Sequence, residues 1–369
     1  MENWYKIKNI DEIDSPALVI YKERVEENIR VLLSMIDDPK RSRPHVKTHK
    51  SKEVSQMMLE AGIEKFKCAT IAEAEMLAIV NAPDVLLAYQ PYGPKLQRFI
   101  SLANKYPATT FSCLVDNLVS ATNIAEAAAS NGIVIPIYID INLGMNRTGI
   151  TPDEDAIDLY DSCTCLKGVQ LKGLHGYDGH FRSPDFEQRT KESNEAFLQV
   201  EEMKKKLAEK GFAEPIIIAG GSPTFPIHAK RKDVECSPGT FIFWDKGYQT
   251  ACPEQPFVTA ALVVSRVISL PDKNTLCLDL GHKSIASENE LGKRVYFLNA
   301  PELKFIGHSE EHLVAEVPEG HSYKPGNVLY GLPYHICPTC ALYERALVVE
   351  NHEVVDEWKI IARDRKITV

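Results

Sequence analysis

The sequence predicts an α/β fold: a (β/α)8 barrel of the TIM type, followed by an all-β domain. Three observations predict it. From residue 14 to about 250, apolar strand-like runs alternate with amphipathic helical runs, about eight units over roughly 235 residues, close to the ~250 typical of such a barrel. Basic and glycine-rich clusters follow several of the strand runs, where barrels carry their chemistry. Beyond residue 250 short alternating strands are separated by Gly and Pro turns, with no long helix. A doubly wound open sheet is the alternative, but no GxGxxG follows the first strand. The barrel is accordingly placed at residues 12–250 and the β domain at 251–369, with residues 1–11 a candidate addition to the β domain.

Taken in order, Ala17 to Tyr21 is a buried strand, and Val25, Ile29, Leu32, Leu33 and Ile36 mark one face of the helix after it. Arg43 to Val46 is a short strand ending in a lysine loop. Glu53 to Ala61 is helical, closed by Gly62, and Phe66 to Ala69 is the next strand. Thr70 and Glu73 stand at capping-box spacing before an apolar run. Further strands fall at Asp84 to Ala88, Thr109 to Val115, Ile133 to Ile141, Gly168 to Leu174 and Pro215 to Ala219. Asn117 to Ser130 and Glu187 to Gly211 are helices between them.

The bulk numbers exclude several classes. A chain of 369 residues, 44% hydrophobic and 25% charged, has an ordinary globular composition. A net charge of -9 argues against nucleic acid as a partner. No run approaches the ~20 apolar residues that span a bilayer. The opening Met1 to Lys6 has no apolar signal-peptide core, so a cytoplasmic enzyme is expected. Nine cysteines, an odd number, do not form a disulfide framework; most are read as small buried residues, Cys68, Cys113 and Cys277 among them. Cys337 to Cys340 is a CxxC, but a redox pair needs a strand-to-helix context, and the segments around it are strand-like.

Four strand ends carry chemistry. In Arg43-Pro44-His45-Val46-Lys47-Thr48-His49-Lys50, crowding by basic neighbours disfavours the Lys47 ammonium, which suits an amine nucleophile. Asp140 to Gly149 delivers Arg147 beside glycines, and Gly173 to His180 delivers two histidines and Tyr177. At Gly220-Gly221-Ser222, small residues opening a helix would aim free backbone N–H groups at an anion, phosphate being the usual one. In the β domain, His335 and Cys337 on an extended segment would point to one side, a partial shell for zinc that water or substrate would complete. A buried Cys with a capping His is the plain alternative. Ser309-Glu310-Glu311-His312 is read as a turn.

These motifs together resemble one family. Asp14-Ser15-Pro16-Ala17-Leu18-Val19, Pro44-His45-Val46-Lys47-Thr48-His49-Lys50 and Ala69-Thr70-Ile71-Ala72-Glu73-Ala74-Glu75 carry the resemblance first. It extends through Arg147, Gly176 to His180, Gly220 to Ser222, Pro238-Gly239-Thr240, Ser309 to His312 and Tyr334-His335-Ile336-Cys337-Pro338, nearly the whole chain. The sequence is similar to the D-threonine aldolase and eukaryotic-type D-serine dehydratase family, fold-type III pyridoxal-phosphate enzymes with an alanine-racemase-like barrel.

The resemblance implies that Lys47 is the Schiff-base lysine, and that Gly221 and Ser222 with Gly239 and Thr240 hold the cofactor phosphate. It implies Arg147 near the phenolic oxygen and Tyr177, with His175 as the alternative, near the pyridine nitrogen. His335 and Cys337 would hold a divalent metal, zinc or manganese, against the β-hydroxyl of a D-amino acid. The Gly-Tyr-Asp-Gly-His loop looks more like the aldolase branch (D-threonine to glycine plus acetaldehyde). D-serine dehydratase (D-serine to pyruvate plus ammonia) is the alternative. A racemase is less expected, since its opposing tyrosine motif is not evident. A non-catalytic pyridoxal-phosphate-binding protein would lack residues 251–369. The family also implies a head-to-tail homodimer.

Overall fold

The computed structural model describes residues 3–369, so the first two of residues 1–11 lie outside the described residues. The chain divides into two compact units. One takes the chain up to Arg30, Thr48–Val54 and Thr240–Arg363; the other takes Val31–Lys47, Ser55–Gly239 and Asp364–Val369.

The first strand, β1 (Ala17–Tyr21), leads into α1 (Lys22–Ser34). After α2 (Lys52–Glu60) the alternation begins: β2 (Lys65–Cys68), α3 (Ile71–Ile79), β3 (Asp84–Leu87), α4 (Pro94–Lys105) and β4 (Thr110–Val115). It continues through α5 (Leu118–Ser130), β5 (Ile135–Ile141), α6 (Glu154–Thr164), β6 (Val169–Gly176), α7 (Phe186–Glu209), β7 (Ile216–Ala219), α8 (Phe225–His228) and β8 (Val234–Cys236). Local signals set the helix starts. Thr70 Oγ1 accepts the Glu73 N–H at 3.0 Å while the Glu73 carboxylate reaches back to the Ala69 N–H at 2.6 Å, satisfying orphan donors at both ends of the box. Asn117 caps α5 by accepting the Ser120 N–H at 2.9 Å.

Strands β2 to β8 form one parallel sheet in chain order. Residues 42–46 close it. The Arg43 and His45 N–H groups donate to Cys236 and Pro238 carbonyls at 2.8 and 2.9 Å. On the other edge Val46 N–H donates to Lys67 O, and Lys67 N–H to Pro44 O, both at 2.9 Å. Pro44 has no N–H, so the segment forms isolated bridges to Cys236 and Lys67 in place of a continuous ladder. The expected (β/α)8 barrel is thus present, and Leu86, Leu114, Tyr138 and Ile218 from β3, β4, β5 and β7 pack together inside it.

One strand of the expected array belongs elsewhere. β1 pairs antiparallel with Ala261–Asp272 (Leu18 opposite Val263) and parallel with Arg345–Glu350 (Val19 opposite Leu347), so it is a strand of the other unit's sheet. Ala-Leu-Val-Ile-Tyr is apolar on both faces and reads alike in either sheet. The barrel's true last strand, β8, escapes the sequence reading because it is three residues long and carries Glu235.

In the other unit α9 (Lys246–Ala251) precedes β9 (Ala261–Asp272), β10 (Thr275–Leu278), β11 (Val295–Phe297), β12 (Lys304–His308) and β13 (Leu313–Glu316). Then come β14 (Val328–Pro333), α10 (Ile336–Leu342), β15 (Arg345–Glu350) and β16 (Glu353–Lys359). The main sheet path runs β12-β13-β10-β9-β1-β15-β16, and β14 links β11 to β9. Ile7 and Ile13 bury against Leu262 and Tyr330 on its apolar face. Among the described residues none of the nine cysteines forms a disulfide, and six of them are buried. Among the described residues no helix is long and apolar enough to cross a membrane.

Candidate active site

Within the barrel unit the closing segment ends at Lys47, which is half-buried, with its N–H donating to His45 Nδ1 at 3.3 Å. Arg43 does not crowd it as a loose cation. Its fully buried guanidinium is shared between Asp84, bound through two nitrogens at 2.6 and 3.1 Å, and Glu235 at 2.8 Å. Two carboxylates on one guanidinium make a satisfied ion group that ties the closing segment to β3 and β8.

A second lysine occupies the barrel interior. Lys67 of β2 is buried, and its Nζ lies 2.7 Å from His175 Nε2; His175 Nδ1 lies 2.6 Å from Asp140 Oδ1. An ionised carboxylate only accepts, so Nδ1 carries the imidazole proton and Nε2 accepts from Lys67. Both ring nitrogens of His175 are therefore engaged. Burial, and after it the charge of Lys47, push Lys67 down to about 7. Burial and then Lys67 also lower His175. Burial works to raise the Asp140 carboxyl, yet the His175 hydrogen bond and charge and the Thr148 hydroxyl hold it below the ordinary carboxylate range.

Tyr177 follows β6, and its ring centroid lies 5.4 Å from Lys67 Nζ and 5.2 Å from the Arg147 guanidinium carbon. The ring lies directly on the Gly220-Gly221-Ser222 turn: a Cβ added at Gly221 would stand 2.8 Å from Tyr177 Cε2, so no larger residue fits without moving it. Beneath this turn is a buried polar knot. Asp178 accepts the Thr224 and Ser193 hydroxyls at 2.6 and 2.8 Å, and His228 Nε2 lies 2.8 Å from its Oδ2. Burial opposes ionisation of Asp178, but His228 and the two hydroxyls hold its carboxyl low. The knot locks the loop after β6 to the loop after β7.

The expected free N–H groups are not free. Gly221 N–H donates to Thr224 Oγ1 at 3.3 Å, Gly239 N–H donates to Ser222 Oγ at 3.2 Å, and α8 is a single turn. Ser222 and Gly239 are thereby brought together, and buried Ser237 Oγ has no hydrogen-bond partner among the described residues. An amine, the Arg147 guanidinium beside an aromatic ring, a turn in which Gly221 leaves no room for a Cβ and the unused Ser237 hydroxyl suit a phosphate-bearing aromatic aldehyde, and pyridoxal phosphate fits that description.

In the other unit the His335–Cys337 stretch is not extended. His335 is the N-cap of α10 and Cys337 lies in its first turn, because Asp245 Oδ2 accepts the Ile336 N–H at 3.0 Å and Pro338 is tolerated in a first turn. The CxxC therefore does open a helix after a strand, against the sequence reading of its context. The pair still meets: a hydrogen bond joins His335 to Cys337, and His335 Nδ1 is bonded to Glu288. Burial lowers His335, but Cys337 and then Glu288 outweigh it and raise the imidazole to about 9. Cys337 Sγ lies 3.1 Å from Thr48 Oγ1 and 3.7 Å from Thr240 Oγ1.

Among the described residues no group of three His, Cys, Asp or Glu side chains is placed to hold a metal. The donors amount to an imidazole and a thiol, with a carboxylate on the imidazole's second nitrogen, the kind of partner that orients a metal-binding histidine. They fit a metal only with open positions left for water or substrate.

Sequence reasoning missed Lys67, Thr48, Glu288 and the Asp178–His228 knot. Lys67 had a signal, a cation flanked by Phe66 and Cys68 in a buried strand, which needs a partner. Glu288 had none, since only the fold brings it to His335.

The chain matches the family profile described as alanine racemase, N-terminal domain, over residues 20–246, and the one described as putative serine dehydratase domain over residues 260–349. It is 28% identical to the D-threonine aldolase of Arthrobacter sp over 360 residues, covering 95% of this chain and 93% of that protein. It is 26% identical to the 3-hydroxy-D-aspartate aldolase of Paracoccus denitrificans (strain Pd 1222) over 371 residues, covering 96% and 93%. The crystal structure of D-threonine aldolase from Filomicrobium marinum shares the fold, with a TM-score of 0.87 at 22% identity over 95% of this chain and 96% of that one. The resemblance drawn from the motifs is borne out. With the first profile covering more than half of its length, the chain belongs to the alanine racemase N-terminal-domain family of enzymes.

Proposed function

We propose that this enzyme is a pyridoxal-phosphate- and divalent-metal-dependent lyase of β-hydroxy D-amino acids, converting D-threonine to glycine and acetaldehyde. The observation that carries the reading is Lys47 at the end of the barrel-closing segment, in one unit with Tyr177 and the Gly221, Ser222 and Gly239 cradle. The two named aldolases support the choice of reaction. Lys47 would hold the cofactor covalently, and Gly221, Ser222, Gly239 and Thr240 its phosphate. Arg147 would lie at its phenolic oxygen and Tyr177 at its pyridine nitrogen. When bound, the cofactor supplies an electron sink conjugated to the substrate's Cα. A phenol there, in place of a carboxylate, would leave that sink weaker. His335 and Cys337 would hold a metal ion that supplies a Lewis acid for the β-hydroxyl, with Glu288 fixing the imidazole's orientation. Thiolate and imidazole favour zinc, and oxygen ligands completing the shell admit manganese.

A specific observation favours a second reading, D-serine dehydratase: residues 260–349 match the putative serine dehydratase domain and carry Cys337. One assay separates the two. The loaded enzyme is incubated with D-threonine and with D-serine. Glycine plus acetaldehyde supports the aldolase, a 2-oxo acid plus ammonia the dehydratase, and turnover of neither sinks both. EDTA abolishes either activity if the metal assignment holds. The enzyme is further read as a cytoplasmic homodimer, which sedimentation of the holoenzyme tests.

A further inference from the structure

Lys67 is a buried cation for which the proposed reaction has no use. It sits in β2, hydrogen-bonded through its backbone to Pro44 and Val46 of the segment that ends in Lys47. Its head group is anchored, since His175 Nε2 holds it at 2.7 Å and Asp140 holds His175 at 2.6 Å. Charged or titratable groups face it from each element packed around it. Arg43 and Lys47 come from the closing segment, Asp140 from β5 and Arg147 from the loop after β5. His175 comes from β6 and Tyr177 from the loop after it. Lys47 and Arg147 against the Asp140 carboxylate, with Arg43 already held between Asp84 and Glu235, make an unfavourable place for a further cation, as its lowering to about 7 reflects. A methionine would fill the same space without the desolvation cost of an amine.

We propose that Lys67, held by His175 and Asp140, is a positioning residue for Lys47: its positive charge opposes protonation of the nitrogen through which Lys47 holds a carbonyl cofactor. The proposal rests on the reading of Lys47 given above. A like charge nearby disfavours the charged form of its neighbour, and an anchored one cannot swing away to relieve the repulsion.

The test is a spectrophotometric pH titration of the lysine-bound cofactor band in the holoenzyme. Lys67→Met should raise the midpoint by about one to two pH units, and Lys67→Arg, which keeps the charge, should leave it near the wild-type value. A role in packing alone predicts altered stability with an unmoved midpoint. An unchanged midpoint in Lys67→Met overturns the proposal. If that variant does not fold, Lys67→Gln, which keeps a donor for His175 without the charge, gives the same comparison. A wild-type protein without the band, or a band that survives borohydride reduction on Lys47→Ala, overturns the Lys47 reading instead, and this proposal with it.

Discussion

Three residues of the basic motif at 43–50 illustrate how neighbours decide what a charge does. Arg43 is fully buried and shared by Asp84 and Glu235, so removing it takes the guanidinium from Asp84 and leaves buried Glu235 with Lys65 alone. Arg43→Ala should destabilise the protein by about 3–5 kcal/mol, read as a lower urea midpoint with an unchanged slope. A loss under about 1 kcal/mol, the level of an exposed pair, contradicts this account. His49, 1% exposed, is pushed down to about 3 by burial first, with Lys50 also lowering it. Its folded form stays neutral where the unfolded form, near 6.5, takes up a proton. Stability therefore rises with pH between about 3 and 6.5 and is lost on acidification through that window. His49→Gln should flatten the acid side of the stability curve by up to about 1.4 kcal/mol per pH unit, checked by urea unfolding at several pH values. Lys47, between the two, is half-buried and bonded through its backbone to His45.

At the scale of elements, α10 is the instructive case. Tyr-His-Ile-Cys reads as a strand, and a seven-residue helix has little stability of its own. What makes it helical is Asp245, which accepts the Ile336 N–H with one oxygen and caps α9 at the Tyr248 N–H, 2.9 Å away, with the other. Asp245→Ala removes both caps and should cost about 1–2 kcal/mol, seen as a lower Tm. If Tm is unchanged, α10 is held by something other than this cap. The motif His-x-Cys was legible because residue types are legible. Its geometry was not, because the capping carboxylate lies far away in the chain. The Thr70–Glu73 cap was legible for the opposite reason, since both partners are three residues apart.

For the whole molecule, the distribution of strands has a consequence for any attempt to isolate the barrel. β1 lies between β9 and β15 in the larger sheet, with Val19 and Ile20 fully buried. A fragment of residues 12–250 keeps β1 but lacks both partners, leaving an apolar strand with two open edges. Such a fragment should aggregate where the full chain stays soluble, checked by size-exclusion chromatography of the two side by side. A monodisperse fragment with barrel-like circular dichroism would show that β1 needs neither partner.

The sequence by itself determined the class of the fold, the order of most elements, the lysine and glycine loops at the strand ends and the family. These rest on periodicity, turn residues and residue type, which act over a few positions. The tertiary structure alone decided which sheet takes β1, that Pro44 sits in the bridge closing the barrel, that Arg43 is neutralised inside it, and that a second lysine faces the site. Each of these is a pairing across long stretches of chain, 192 residues from Arg43 to Glu235 and 108 from Lys67 to His175. Burying a charge is tolerable only where a partner waits, and the position of the partner is a property of the fold.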